Sequence, residues 1–253
     1  MEKDVRSTRD QILFNQMADG YVNKDKIKSS SCARKHRLVS TIKSISNHNI
    51  LRILEIGCGA GYSALYLKDS YSEFVGIDHS LNLVLHARNN FNYGNVSFKN
   101  ISIEDYFPEE KFDVIIAIGV LHHLNDPLLV LRKLKKMLTT GGVIAVNEPT
   151  TGNIVVGVLR RIRKIIDKNY SNDQVEFSSN QLSEIFTQAD LKNIKCVPQG
   201  YFSTPFAEII LRPVKIFYAL AILAVQADKI IESYFGRALN KLSWNTIVTG
   251  YRE

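Results

Sequence analysis

Cysteine is scarce. Cys32, Cys58 and Cys196 are the three in 253 residues, an odd trio without metal-ligand spacing, which argues against a disulfide framework and against a zinc site. No metal is expected, and a reducing cytoplasm is the simplest setting. Acid is in deficit: 25 Asp and Glu stand against 32 Lys and Arg, a formal net charge of +7 with a pI near 9.2. That positive charge is spread along the chain and no RNA or DNA module accompanies it, so nucleic acid is not the expected partner. After the opening Met-Glu-Lys-Asp there is no apolar core of a secretory signal. Internal repeats and low-complexity tracts are missing too. The apolar run that follows Lys215 is too short to span a bilayer, and Pro213 divides the wider stretch 206–227, so a transmembrane helix is rejected.

What is present is an ordinary soluble composition, 45% hydrophobic and 23% charged, long enough to bury a sizeable core. Ile50, Leu51, Ile53, Leu54 and Ile56 form a near-continuous apolar stretch, as a strand buried on both faces of a parallel sheet should. Directly after it, Gly57, Gly59 and Gly61 let the backbone turn sharply and approach a ligand that a Cβ would exclude. The turn opens a helix whose unpaired amides suit a carboxylate or another anion. The spacing is GxGxG, with Tyr62 where a dinucleotide fold wants its third glycine. A second strand ends in Asp78, about 20 residues after the first glycine, the interval that places an acid on a ribose hydroxyl pair. The plainer use of Asp78 is to cap the next helix in Asp-His-Ser-Leu.

Apolar runs and helical periodicity alternate from residue 50 to about 147, which predicts an α/β, doubly wound, Rossmann-like sheet with ligand at the strand C-terminal ends. Strands are expected near 51–56, 73–77, 96–100, 113–118 and 142–147, with helices near 62–69, 81–91 and 127–138. Beyond Thr150, Ser178–Gln188 reads as a helix, Ile194–Pro198 as a strand and Ser243–Arg252 as a last strand. Seven strands result, five of them from the central unit.

Four segments, in order, resemble class I S-adenosylmethionine-dependent methyltransferases of the small-molecule type: Leu54–Gly61 (LEIGCGAG), Val75–Ser80 (VGIDHS), Lys111–Leu124 (KFDVIIAIGVLHHL) and Lys136–Pro149 (KMLTTGGVIAVNEP). The resemblance implies S-adenosylmethionine as cofactor. It puts Gly57, Cys58, Gly59 and Gly61 beneath the methionine and ribose portions, Asp78 on the ribose with His79 at the adenosine edge, and Glu55 near the methionine amino group. Ser102 and Ile103 would contact adenine, Ser102 standing where the family often has Asp, and Ala117 and Gly119 would line the pocket near the sulfonium. It also implies a last strand antiparallel to its neighbours and a helical N-terminal lid over residues 1–48, with Tyr21 closing on the cofactor or standing as an ordinary exposed aromatic. The cofactor-binding core then covers 49–150, and 151–253 holds the acceptor-binding helices and the last strands.

Methyl transfer from a sulfonium needs mostly positioning, yet an oxygen or ammonium acceptor must lose a proton, and His122 or His123 could take it. The alternative places the pair in the packed turn after the fourth strand. Arg34, Lys35, His36 and Arg37 read as a solvated helix face. Val155–Lys168 combines five cationic residues with apolar positions at helical spacing, the composition of an interfacial helix. For 206–227 the readings are a buried helix, a lid over a greasy acceptor, or contact with a membrane surface. The expected function is therefore methylation of a small-molecule acceptor, with a hydrophobic or lipid-linked one among the candidates and oxygen as the expected atom, in the cytoplasm or peripherally at the inner membrane face. A cofactor-binding partner subunit without activity is the alternative, and a nicotinamide-dependent oxidoreductase is disfavoured by Tyr62.

Overall fold

The computed structural model describes residues 2–45, 51–151, 153, 177–236 and 238–253, with side chains from residue 9 onward. Two helices, α1 (Glu2–Lys26) and α2 (Lys28–Lys43), precede the sheet. Its strands are β1 (Leu51–Ile56), β2 (Tyr71–Asp78), β3 (Val96–Asn100), β4 (Phe112–Ile118), β5 (Leu138–Pro149), β6 (Lys192–Gln199) and β7 (Asn245–Tyr251). Between them run α3 (Tyr62–Tyr66), α4 (Leu81–Asn90), α5 (Pro127–Met137), α6 (Ser179–Gln188), α7 (Thr204–Glu208) and α8 (Val214–Tyr234).

The strand order is β3-β2-β1-β4-β5-β7-β6. The first five strands are parallel, and β7 lies antiparallel between β5 and β6. This is the expected seven-stranded α/β sheet with its antiparallel final strand. Because the chain winds outward from β1 in one direction and from β4 in the other, their C-terminal ends form the crevice where such sheets take ligands.

β1 is buried on both faces, and successive residues go to opposite sides. Leu54 and Ile56 join Ile115, Val146, Leu131 and Phe186 on one face, while Ile53 joins Phe74, Val84 and Ile116 on the other. Helix starts are fixed by local hydrogen bonds. The Asp126 carboxylate accepts from the Leu129 amide with Pro127 in the first turn, and Ser178 and Gln181 form a reciprocal capping box.

Boundaries depart from the sequence reading where tertiary contacts intervene. α3 ends at Tyr66 and β2 starts at Tyr71, because the Tyr71 hydroxyl donates to the Ala64 carbonyl and ties the turn to the helix. β5 starts early, at Leu138, since Leu138 pairs with Phe112 across an irregular register. The basic stretch of α2 is not a solvated face. Of the four only Lys35 is exposed, while Arg34 pairs with Asp25, His36 with Glu232 and Arg37 with Glu208. The cationic segment Val155–Lys168 lies outside the described residues.

Candidate active site

Glu55 stands at the tip of β1, 4% exposed. Its Oε1 accepts from the Ser63 hydroxyl at 2.7 Å, and its Oε2 is buried without a hydrogen-bond partner. Burial pushes the carboxyl up to about 8. The turn that follows is left-handed at Gly57 (φ 64°), Gly59 (φ 53°) and Gly61 (φ 79°). A Cβ at Gly57 would lie 2.5 Å from Val120, and one at Gly61 would lie 2.7 Å from Ala87 and Phe98. At Gly59 a Cβ would meet nothing within 4 Å, so this glycine faces open space. Cys58 points the other way, its thiol against its own loop and Gly76, and burial pushes its pKa well above the ordinary range, so it offers the site backbone only.

Asp78 ends β2 with both oxygens engaged. Oδ2 accepts from the Gly59 amide and Oδ1 from the Ser80 amide, each at 2.8 Å. Burial raises its pKa against the pull of those two amides. The carboxylate therefore fixes the glycine turn and caps the approach to α4 together. His79 is half-buried beside it, its ring 5.8 Å from that of Phe14. At the end of β3 the Ser102 hydroxyl donates to Asp105 at 2.8 Å, and Ile103 is buried. Ala117, expected at the pocket wall, is fully enclosed in the apolar core. Just past the end of β4, Gly119 (φ 67°) is half-buried where the chain leaves the sheet.

The turn after Gly119 carries both histidines, and they part company. His122 Nδ1 lies 2.7 Å from Glu148 Oε2, whose other oxygen accepts from the Val120 and Leu121 amides at 2.8 and 2.9 Å. Glu148 is fully buried at the end of β5. Its desolvation is outweighed by His122 and the two amides, so its pKa falls below the usual carboxylate range. An ionised Glu148 assigns the proton to Nδ1 of His122, leaving Nε2 as the basic nitrogen. The ring's Cε1 edge lies toward Gly119. His123 instead lies 3.4 Å from Asp10 of α1 and stacks 4.1 Å from His122, and burial lowers its pKa.

α1 crosses these strand ends as a cover. The Gln11 side chain donates to the His79 carbonyl, Asn15 accepts from the Ser80 hydroxyl, and Ala18 and Val22 pack on Ala60 of the glycine turn and Leu83. Tyr21 packs against that same cluster, its ring 5.6 Å from that of Phe14. From α2, the Arg37 guanidinium reaches Asn147 and Glu208 and stands beside Gly119. Elsewhere, His36, Asp228 and Glu232 converge within 4.8 Å of one another. The Asp228 oxygens take the Phe202 and Ser203 amides and the Ser203 hydroxyl. Those of Glu232 take Gly200, Gln199, Ser40 and His36, so the cluster ties α8 to α2 and to the turn after β6.

The match to the methyltransferase domain family covers residues 47–195, more than half of the chain. The chain belongs to the class I S-adenosylmethionine-dependent methyltransferase family. Malonyl-[acyl-carrier protein] O-methyltransferase of Bacillus cytotoxicus is 30% identical to this methyltransferase over 201 residues, 78% of this chain and 67% of that protein. A ubiquinone biosynthesis O-methyltransferase of Bradyrhizobium is 28% identical over 123 residues, about half of each chain (48% and 47%). Magnesium protoporphyrin IX methyltransferase from Synechocystis, solved with bound S-adenosylhomocysteine, shares the fold at TM-score 0.63 with 13% identity, covering 98% of this chain and 100% of its own. S-Adenosylmethionine is the cofactor, and two observations of this methyltransferase fit it. The partnerless Glu55 Oε2 suits an ammonium group, and the open side of Gly59 leaves room for a ligand against the backbone.

Glu148, Ser63 and Asp10 were not singled out from the sequence, and Arg37 was read as solvated. Glu148 had a signal, the Asn-Glu-Pro ending of β5. Asp10 and Arg37 had none, since their contacts depend on where two distant helices dock.

Proposed function

We propose that this methyltransferase acts at an oxygen of a hydrophobic or lipid-linked small-molecule acceptor, with His122 as the general base and Glu148 as its positioning residue. The observation that carries this reading is the 2.7 Å contact between His122 and the buried Glu148, beside Gly119 just past the end of β4. The cofactor supplies a methyl group already activated on a sulfonium. Glu55 is then the partner of its amino group, Asp78 of its ribose, and Ser102 with Ile103 of its adenine edge. His122 takes the acceptor hydroxyl proton at Nε2, and Glu148 stabilises the imidazolium that results, as a buried carboxylate does for an adjacent histidine. His123, held to Asp10, belongs to lid closure rather than to proton transfer.

The acceptor is assigned to the side formed by residues 151–253, with residues 1–48 as the lid and Tyr21 over the cofactor. Both relatives named above are O-methyltransferases, and one takes its name from the biosynthesis of ubiquinone, which supports oxygen and an apolar acceptor. A peripheral membrane position accords with such an acceptor. The test incubates the protein with methyl-labelled S-adenosylmethionine and a fractionated cell extract, and counts label in the organic and aqueous phases. Label in the organic phase is expected, and His122→Asn should reduce it about 10²-fold with cofactor affinity intact. Label confined to the aqueous phase would overturn the apolar acceptor, and full turnover by His122→Asn would overturn the base.

A further inference from the structure

Helix α8 is amphipathic in the reverse sense. Its buried residues are Ala221, Ala224, Val225 and Asp228, whereas Ile216, Leu220, Leu223, Ile230 and Tyr234 are 44–79% exposed. With Ala227 these five recur at steps of four and three, the spacing of one helical stripe. The stripe runs about 27 Å along the surface. The helix cannot roll to hide it. Asp228 is wholly buried with both oxygens accepting from Phe202 and Ser203, and Glu232 is held by Gly200, Ser40 and His36. Rolling the stripe inward would break those bonds and leave the buried carboxylate of Asp228 without donors.

Charge on α8 is sorted the same way. Both acids face inward, while Lys215 and Lys229 are exposed, and neither makes an ion pair among the described residues. A helix that pairs with its own copy borders its apolar seam with acids and bases of both signs. Here the exposed charges are cations alone, on a chain of net charge +7, so a second copy would bring like charges together. An anionic surface complements them. No helix among the described residues is long and apolar enough to cross a membrane.

We propose that the outer face of α8 is a membrane-docking surface that lies flat in the headgroup region of an anionic phospholipid bilayer, with Ile216, Leu220, Leu223 and Ile230 inserted and Lys215 and Lys229 at the phosphates. Apolar burial and electrostatic attraction add in this geometry. The inference deepens the lipid-linked reading by naming the surface, and it rests on the exposed face rather than on the acceptor.

The test floats the full chain with phosphatidylcholine vesicles and with vesicles containing about one-third phosphatidylglycerol. Co-flotation is expected with the anionic vesicles and weakens as salt is raised. It should fall at least about tenfold in a Leu223→Glu/Ile230→Glu variant and in a Lys215→Glu/Lys229→Glu variant, with S-adenosylhomocysteine affinity unchanged in both. Failure of the native chain to float overturns the proposal, as does equal flotation of both variants. So does a sedimentation profile in which the chain is a dimer that Leu223→Glu/Ile230→Glu dissociates while no form floats. The methyl-label assay is read separately, so an enzyme that methylates without floating defeats this inference and leaves the acceptor reading standing.

Discussion

Glu55 holds its proton to about pH 8 because burial disfavours its charge. Its folded pKa is raised above the unfolded value, so its contribution to stability is complete below about pH 4.5 and is lost as pH rises through 8. Glu55→Gln should therefore be more stable than the native chain at pH 8.5, by about 4–5 kcal/mol, and equal to it at pH 4; urea unfolding at the two pH values reads this. The same variant should bind S-adenosylhomocysteine at least about tenfold more weakly, because the unpaired oxygen that suits an ammonium has become an amide. Glu148→Gln tests the other end of the site. The cofactor Kd should hold while turnover falls about 10²-fold, since the variant loses the orientation of His122. The places of Glu55 and Asp78 at strand ends were legible in the sequence because a strand end fixes where one side chain goes. The role of Glu148 was not, as it depends on β4 and β5 pairing in register.

The glycine turn separates stability from binding. Gly61→Ala drives a Cβ to 2.7 Å from Ala87 and Phe98 at a φ of 79°, and should cost about 2–4 kcal/mol in urea unfolding. Gly59→Ala meets no atom within 4 Å, so its cost should stay near 1 kcal/mol, the strain of a positive φ. It should nonetheless lose cofactor affinity, because its methyl would occupy the ligand's side. Equal affinity in the Gly59→Ala variant would place the cofactor elsewhere. α1 covers this turn through Gln11, Asn15, Ala18 and Val22, so a cofactor bound beneath it should damp its local opening. Amide exchange in residues 14–22 should slow when S-adenosylhomocysteine is added, more than exchange in β1 or β4. The helical content of this N-terminal segment was legible. Its docking on His79 and Ser80 was not, because short polar contacts leave no periodicity in a sequence.

At the scale of the molecule, cofactor binding and folding are linked. With S-adenosylhomocysteine at 100 times its Kd, stability should rise by about 2.7 kcal/mol. A chain of this length would then gain roughly 5–11 °C in Tm, and Asp78→Ala should remove that gain. The +7 charge gave no hint of its arrangement, since Arg34 and Arg37 turn inward to Asp25 and Glu208 while Lys215 and Lys229 stay outside. By itself the sequence determined the strand positions, the doubly wound order, the glycine turn and the acid after β2. Those features rest on side-chain period, backbone conformation and intervals within one β-α-β unit, all local properties. Only the tertiary structure decided which carboxylate each histidine of the pair meets, which cations are neutralised and which face of α8 stays in solvent. Each of those depends on groups brought together from distant parts of the chain or on the rotation of a packed helix, and local pattern constrains neither.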